Sequence, residues 1–249
     1  MRNTADDWKA IGATEPWYGV LSAPEFLTAN ITEEAKERFY LQGRSEIAAV
    51  TSSLRQQYPD FSPRIGLDFG TGLGRLAFPM AKVCEHVYGI DISPDMLAEA
   101  GRQQAGQNVR NVSFCNVLPD GLTFDWVNTY IVMQHIPPRT GYTILSDLLS
   151  RLNVGGFTSI HLTYAHDKRY SGTMERDTCA VQYDGESMTV LEENNTQVGH
   201  QSMFDYNLNK VLFMFVRKGI AKIILEATDH GGNHGFWIFG RKWNAQSNG

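Results

Sequence analysis

Residues 67–75 read Leu-Asp-Phe-Gly-Thr-Gly-Leu-Gly-Arg, and residues 88–93 read Tyr-Gly-Ile-Asp-Ile-Ser. The two stretches predict a buried strand, a glycine turn and a second strand that ends in a carboxylate. The three glycines have no β-carbon, so the backbone can turn sharply against a ligand, and the next helix would begin with free N–H groups. Asp91 follows the first glycine by twenty-one residues, the separation at which a carboxylate can accept ribose hydroxyls. The pattern therefore predicts a nucleoside-binding site.

The details distinguish this site from a dinucleotide site. A nicotinamide-dinucleotide fingerprint has a small residue three places after its second glycine, where helix and strand pack closely, and this chain has Arg75 there. Asp68 precedes Gly70 by two residues, which suits a cationic amino group better than a pyrophosphate. The arrangement Asp68-x-Gly70-x-Gly72-x-Gly74 resembles motif I of the class I S-adenosylmethionine-dependent methyltransferases.

The resemblance implies S-adenosyl-L-methionine as the cofactor. Asp91 matches the family's ribose-binding acid, and Ile92 and Val117 would flank the adenine. Asn116 stands where the family has an acidic residue that accepts the adenine amino group, and it keeps a carbonyl acceptor without the charge. Arg44 would face the methionine carboxylate. The cofactor-binding residues implied are Asp68, Gly70, Thr71, Gly72, Gly74, Asp91, Ile92, Asn116, Val117, Met133 and Arg44.

The reaction would take place at the carboxyl end of the fourth strand. The stretch from Asp125 to Pro137 resembles the family's motif IV region, and the methyl group would lie near its end. His135 is the candidate general base, because an imidazole titrates near neutral pH. It could equally order the loop before the following prolines by hydrogen bonding. The predicted substrate-binding residues are Tyr18, Tyr164, His166 and His230.

Composition excludes several other classes. The 249 residues are 42% hydrophobic and carry a formal net charge of −5. A positively charged surface that binds the phosphate backbone of nucleic acid is therefore not expected. The three cysteines are widely spaced, which favours a reducing compartment and no disulfide frame. No apolar run approaches the roughly 20 residues of a membrane span. We expect a cytoplasmic protein without membrane contact and with no metal, although Asp229, His230 and His234 form a tight cluster in the sequence.

The order of predicted elements indicates an α/β fold. Strands are predicted at residues 65–69, 86–90, 112–115, 126–133 and 157–164, and a helix is predicted at residues 75–84. Strands and helices alternate up to about residue 164, and two later strands joined by a short glycine-rich link must be antiparallel. A hairpin turn is predicted at Asp184-Gly185. We predict a seven-stranded, doubly wound, mostly parallel, Rossmann-like sheet with an antiparallel last strand and an inserted cap. The predicted divisions are an N-terminal helical arm or lid (1–62), a cofactor-binding core (63–164), a hairpin-bearing cap (165–205) and the rest of the core sheet (206–249).

These expectations favour one function and leave others open. The first is methyl transfer to a small molecule, most readily a hydroxyl of a sugar or of a natural-product metabolite. N- or C-methylation of a small metabolite is the nearest alternative, and the sequence after the fourth strand lacks the Asn-Pro-Pro-Tyr signature of amide methylation. A nicotinamide-dependent oxidoreductase and a non-catalytic cofactor-binding protein are the alternatives from other classes. Monomer and homodimer are both open.

Overall fold

A computed structural model of the chain describes residues 4–166, 179–183, 188–192 and 201–243, and it describes His166 and the strands at 179–183 and 188–192 by their backbone alone. Contacts divide the chain into two compact units, residues 1–126 and 127–249. Within the described residues, no helix is long and apolar enough to cross a membrane.

The elements follow one another in this order along the chain. The helices are α1 (Thr4–Thr14), α2 (Pro16–Val20), α3 (Glu33–Gln57), α4 (Ala77–Met80), α5 (Pro94–Gly106), α6 (Pro138–Ser150) and α7 (Leu208–Arg217), with 3-10 turns at Pro24–Phe26 and Met133–His135. The strands are β1 (Ile65–Phe69), β2 (His86–Ile90), β3 (Val112–Cys115), β4 (Phe124–Thr129), β5 (Leu152–His166), β6 (Cys179–Tyr183), β7 (Met188–Glu192), β8 (Ile220–Asp229) and β9 (Asn233–Lys242).

Seven of these strands form one sheet in the order β3-β2-β1-β4-β5-β9-β8. β1, β2 and β3 pair in parallel, whereas β9 is antiparallel to both β5 and β8. This confirms the predicted Rossmann-like α/β sheet with antiparallel final strands. β6 and β7 pair antiparallel in a separate two-stranded sheet. The Asp184-Gly185 turn predicted between them, like most of the predicted cap, lies outside the described residues.

The first unit follows the sequence pattern closely. β1, β2 and β3 begin and end at the predicted residues. α3 begins after Thr32, whose hydroxyl accepts the backbone N–H of Ala35, and α5 begins after Ser93, which accepts that of Met96. These side chains satisfy N–H groups that a helix start leaves unpaired.

Two elements are clearly shorter than predicted, whereas β5, predicted from residue 157 to 164, begins at Leu152. The helix predicted from residue 75 to 84 is reduced to α4, because Pro79 has no N–H to donate to the Arg75 carbonyl, and this interrupts the helical hydrogen bonds between those of Phe78 and Met80. The fourth strand, predicted from residue 126 to 133, ends at Thr129, because Ile131 takes a left-handed backbone conformation with φ of 55°. A β-branched residue rarely adopts that conformation.

In the second unit, residues 201–206 pack beside the 3-10 turn and β5. The backbone N–H of Phe204 donates to the carbonyl of Gln134 over 2.7 Å, and that of Tyr206 donates to the carbonyl of Thr163 over 2.9 Å. The Tyr206 hydroxyl donates to the carbonyl of Ile136 over 2.8 Å. These bonds tie the chain that leads into α7 to the residues that follow β4.

Candidate functional site

The glycine turn after β1 depends on left-handed backbone conformations. Gly70, Gly72 and Gly74 have φ values of 75°, 51° and 76°, a region that costs an L-residue with a side chain roughly 1–2 kcal/mol. The N–H groups of Gly70 and Thr71 donate to the carbonyl of Ile90, and that of Gly74 donates to the carbonyl of Thr71. The turn is therefore held by two hydrogen bonds to the end of β2 and by one within the turn itself.

Asp91 joins the turn to the end of β2. One carboxylate oxygen accepts the N–H of Gly72 over 2.9 Å, and the other accepts the N–H of Ser93 over 2.9 Å. Burial raises the pKa of the Asp91 carboxyl, and the backbone hydrogen bonds from Ser93, Gly72 and Ile92 partly offset that effect. Each oxygen has further lone pairs, so the carboxylate can accept hydroxyls while it keeps both backbone contacts.

Two apolar side chains are exposed next to Asp91. The N–H of Asp91 donates to the carbonyl of Cys115 over 3.3 Å, which aligns the ends of β2 and β3. Ile92 is 48% exposed and Val117 is 72% exposed, and Asn116 is exposed between the strand end and Val117. Apolar walls next to an amide suit a flat heteroaromatic ring with a polar edge. The first unit thus brings together the predicted ribose and adenine contacts.

Thr71 adds a further polar group to the turn. Thr71 is 4% exposed, and its hydroxyl oxygen is buried with no hydrogen-bond partner among the residues that the structure describes. A ligand can satisfy such a buried hydroxyl. Asp68 is also buried, in β1, and Met133 is fully buried in the second unit.

The N-terminal helices pack against the turn and against α5. A β-carbon added at Gly72 would lie 3.0 Å from a methyl carbon of Val20, and one added at Gly12 would lie 2.0 Å from the hydroxyl of Ser93. Tyr18, the predicted substrate contact, is half-buried in α2. Helices α1 and α2 therefore cover part of the candidate nucleoside site.

Arg44 is exposed on α3. Its neighbours Tyr40, Gly43 and Glu46 make the contacts between this helix and the glycine turn. α3 therefore meets the turn through residues on either side of Arg44.

His135 lies in the second unit with both ring nitrogens in contact with neighbours. Nδ1 lies 2.9 Å from the carbonyl oxygen of Ser202, and Nε2 lies 3.3 Å from the amide nitrogen of Gln134. Since a carbonyl only accepts, Nδ1 carries the proton and Nε2 accepts from the amide. Burial lowers the pKa of His135 to about 4, against a smaller raising effect of the Ser202 hydrogen bond. This geometry favours the loop-ordering role.

A second imidazole, His230, lies beside a ring cluster in the same unit. Tyr130, which directly follows β4, has its hydroxyl 3.5 Å from Nε2 of His230. The Tyr130 ring stacks on Trp237 with centroids 4.7 Å apart, and His161 packs edge-on to both rings. Burial lowers the pKa of His230, and the charge of Asp229 partly offsets this. His230 is therefore half-buried, neutral at neutral pH and close to a phenol.

The remaining predicted residues have simpler surroundings. Tyr164 is 39% exposed and stacks on Phe236 with centroids 4.8 Å apart. His166 ends β5, where its backbone is opposite Asn233. Asp229 accepts the N–H of Gly232 over 2.6 Å. Among the described residues no three His, Cys, Asp or Glu side chains are grouped as metal ligands.

Two arrangements were not predicted from the sequence. Tyr130, His161 and Trp237 were not connected with His230, although the aromatic and histidine content near the ends of β4 and β9 was a visible signal. Arg75 was interpreted only as a departure from a dinucleotide fingerprint, and no sequence signal linked that residue to Glu46.

Comparisons with known proteins agree with this architecture. Residues 67–156 match a family model described as a methyltransferase domain. The fold is similar to that of magnesium protoporphyrin IX methyltransferase from Synechocystis with bound S-adenosylhomocysteine, at 15% identity, a TM-score of 0.65, and coverage of 96% of this chain and 100% of that one. The sequence matches no curated protein at a significant level.

Two further solved structures show the same fold. N-methyltransferase NodS from Bradyrhizobium japonicum in complex with S-adenosyl-L-homocysteine is 13% identical, with a TM-score of 0.57 and coverage of 97% of this chain and 99% of that one. The N-terminal domain of EvdMO1, in the presence of S-adenosylhomocysteine and D-fucose, is 13% identical, with a TM-score of 0.57 and coverage of 78% and 82%. Residues 67–156 therefore match a methyltransferase domain, and the chain has the fold of the S-adenosylmethionine-dependent methyltransferases to which it is similar.

Proposed function

We propose that this protein binds S-adenosyl-L-methionine and transfers its methyl group to a hydroxyl of a small molecule, in the class of sugars or natural-product metabolites. The observation that carries the proposal is the Asp91 carboxylate bonded to the Gly72 N–H, with exposed Ile92 and Val117 beside it. The solved structures of similar fold include complexes with S-adenosylhomocysteine. One of them was obtained in the presence of D-fucose, which supports a sugar acceptor.

The described residues fit the cofactor. Asp91 would accept the ribose hydroxyls, and Ile92 and Val117 would enclose the adenine while Asn116 accepts its amino group. The turn of Gly70, Thr71, Gly72 and Gly74 would lie against the methionine part, with Asp68, Met133 and Arg44 as the further proposed contacts. When bound, S-adenosylmethionine supplies a methyl group on a sulfonium leaving group.

The protein then has mainly to align the acceptor. Orientation of two reactants can supply up to about 7–11 kcal/mol of barrier lowering, more than the roughly 3–5 kcal/mol of a single base. Tyr18, Tyr164, His166 and His230 remain the proposed acceptor contacts. We assign the base to His230 rather than to His135, because His230 is half-buried and neutral, whereas both nitrogens of His135 are engaged.

The cofactor is tested first by calorimetry. Titration of the folded protein with S-adenosylhomocysteine should give saturable binding of one nucleoside per chain, and titration with NADH should give none. Binding of NADH alone would favour the oxidoreductase alternative. Absence of binding to both would contradict the proposed site.

The reaction is tested with labelled S-adenosylmethionine and a panel of sugars, phenols and amines. Label should transfer to hydroxyl acceptors, and transfer only to amines or carbon would support the N- or C-methylation alternative. His230→Gln should slow transfer to a hydroxyl by about a hundred-fold or more and remove the fall in rate at acid pH. His234→Gln, in the same hairpin, is the matched control. Binding without transfer to any acceptor would indicate a non-catalytic cofactor-binding protein.

A cytoplasmic location and a site without metal complete the proposal. The net charge of −5 supports a small-molecule acceptor over nucleic acid. Activity should be unchanged after treatment with a metal chelator.

A further inference from the structure

Arg75 directly follows the last glycine of the turn, and its charge is buried. The residue is 4% exposed, and its guanidinium Nη1 lies 2.5 Å from an oxygen of Glu46 in α3. The Glu46 side chain is 19% exposed. The guanidinium also lies over the ring of Phe39, 5.8 Å from its centroid. Such a pair costs desolvation on both sides, so stability alone is a weak reason for its presence.

Two further contacts join the same face of α3 to the turn. The Tyr40 hydroxyl donates to the carbonyl of Leu73 over 3.0 Å. Gly43 lies so close to the Arg75 carbonyl that an added β-carbon would be 2.3 Å from that oxygen. Residues three apart lie on one side of a helix, so Tyr40, Gly43 and Glu46 form one face against residues 73–75.

The helix that directly follows the glycine turn, α4, gives the turn little support. In a regular helix the Arg75 carbonyl would accept the N–H of residue 79, but that residue is Pro79, which has none. α4 accordingly begins at Ala77 and has only four residues. The glycine turn therefore lacks a long helix behind it. Its far end is contacted by α3 at Leu73 and Arg75, and by Phe78 and Phe114 at Gly74.

We propose that the Arg75–Glu46 pair is a positioning device that holds the far end of the glycine turn, residues 73–75, in its binding conformation, with α3 as its support. Glycine loses more backbone freedom on ordering than any other residue. A turn with three glycines that is not held in place would have to be ordered on binding, which lowers affinity. The inference rests on the proposed function in one respect, namely that the turn binds the cofactor.

The test removes both charges together, because loss of one partner would leave the other buried and unpaired. In Arg75→Met/Glu46→Gln, the amides of residues 70–76 should exchange hydrogen at least tenfold faster in the absence of ligand. The Kd for S-adenosylhomocysteine should rise at least tenfold. Arg75→Lys, which keeps the positive charge, should raise the exchange rate and the Kd less than the double variant does. The matched control is Arg64→Met/Glu85→Gln, an ion pair in the same unit with side chains 74% and 66% exposed, which should change neither quantity.

The outcomes separate the two proposals. If the folded double variant keeps wild-type exchange at residues 70–76 and wild-type affinity, the positioning role is wrong. Exchange that rises equally throughout residues 4–126 would show general destabilisation and would also overturn it. If the double variant does not fold, Arg75→Lys decides the question: wild-type exchange at residues 70–76 together with wild-type affinity in that variant overturns the proposal. If the wild-type protein binds no S-adenosylhomocysteine, the proposed function fails, whereas the exchange data still decide the role of the pair.

Discussion

The carboxylate of Asp91 accepts the backbone N–H of Gly72 over 2.9 Å, and so joins the two stretches of sequence that define the candidate nucleoside site. The same carboxylate accepts the N–H of Ser93, the residue that caps α5. A single side chain thus aligns the glycine turn, the end of β2 and the start of a helix before any ligand arrives. Such preorganisation lowers the ordering cost of binding.

Replacement of Asp91 by Asn should weaken cofactor binding. One acceptor oxygen becomes an NH₂ donor, which cannot accept a backbone N–H or donate favourably to one. We expect the Kd for S-adenosylhomocysteine to rise at least tenfold, or about 1.4 kcal/mol, with little change in the circular dichroism spectrum. Asp95→Asn, the control, alters an exposed carboxylate in the first turn of α5, the helix that begins after Ser93. This variant should leave the calorimetric Kd unchanged. Equal Kd values for both variants would contradict the role of Asp91.

Two glycines of the first unit should respond to alanine in opposite directions. Gly72 has φ of 51°, and a β-carbon there would meet Val20 at 3.0 Å, so Gly72→Ala should lower the free energy of unfolding by about 1–2 kcal/mol. Gly101, within α5, has open space around its added β-carbon, and Gly101→Ala should raise that free energy by roughly 0.5–1 kcal/mol. Urea unfolding curves measure both effects, and a Gly72→Ala variant as stable as wild type would refute the strain argument.

The exposed apolar side chains should contribute to affinity and not to folding. Ile92→Ser and Val117→Ser each remove apolar surface that water already contacts, so the free energy of unfolding should stay within about 0.5 kcal/mol of wild type. The Kd for S-adenosylhomocysteine should rise several-fold in each, because the adenine loses an apolar wall. Val154→Ser changes a similarly exposed valine, 63% accessible, in β5, and should affect neither. A Val154→Ser effect as large as the other two would remove the case for an adenine site.

Buried histidines should make the protein less stable in acid. Burial lowers the pKa of His135 to about 4 and that of His161 to about 3, below an ordinary value of about 6.5. Between about pH 6.5 and pH 4 the two histidines are protonated in the unfolded chain but largely neutral in the native chain. The free energy of unfolding therefore falls as the pH is lowered from about 6.5 towards 4. Each pKa unit corresponds to about 1.4 kcal/mol, so the total loss is several kcal/mol.

Denaturation with urea at about pH 7 and at about pH 5 measures this dependence. His135→Asn keeps a donor for the Ser202 carbonyl but cannot be protonated, so its stability should fall less between the two pH values than that of wild type. If the variant and the wild type lose the same free energy of unfolding, the assigned protonation of His135 is incorrect.

The sequence was informative where glycine, proline and strand-forming residues alternate sharply. The bounds of β1, β2 and β3 were predicted at the correct residues, because each strand is short, apolar and flanked by turn residues. The place of Asp91 at the end of the second strand was also predicted, since its separation from the glycine turn is typical of adjacent parallel strands, whereas its hydrogen bond to the Gly72 N–H was not. The caps at Thr32, Ser93 and Asn207 have the residue types that helix starts prefer.

Contacts between distant residues could not be predicted in the same way. Glu46 and Arg75 belong to patterns that look like an exposed helix face and a turn, and only the packing of α3 buries them together. The early end of β4 depends on Ile131, whose left-handed conformation opposes its own preference for strands. The His135 ring is hydrogen-bonded to the backbone carbonyl of Ser202. Every residue has such a carbonyl, so the pattern of side chains does not indicate which one the ring will contact.

The bonds from Thr163 to the residues before α7 have a consequence for how such a protein can diversify. The Thr163 hydroxyl donates to the Phe204 carbonyl over 3.0 Å, and the Thr163 carbonyl accepts the Tyr206 N–H. The two ends of the intervening excursion are therefore fastened to each other. Doubling the length of a chain between fixed ends costs only about 0.6 kcal/mol of closure entropy. Changes of length between Thr163 and Phe204 should therefore cost the sheet little stability, so this part of the chain can vary in sequence without loss of the fold.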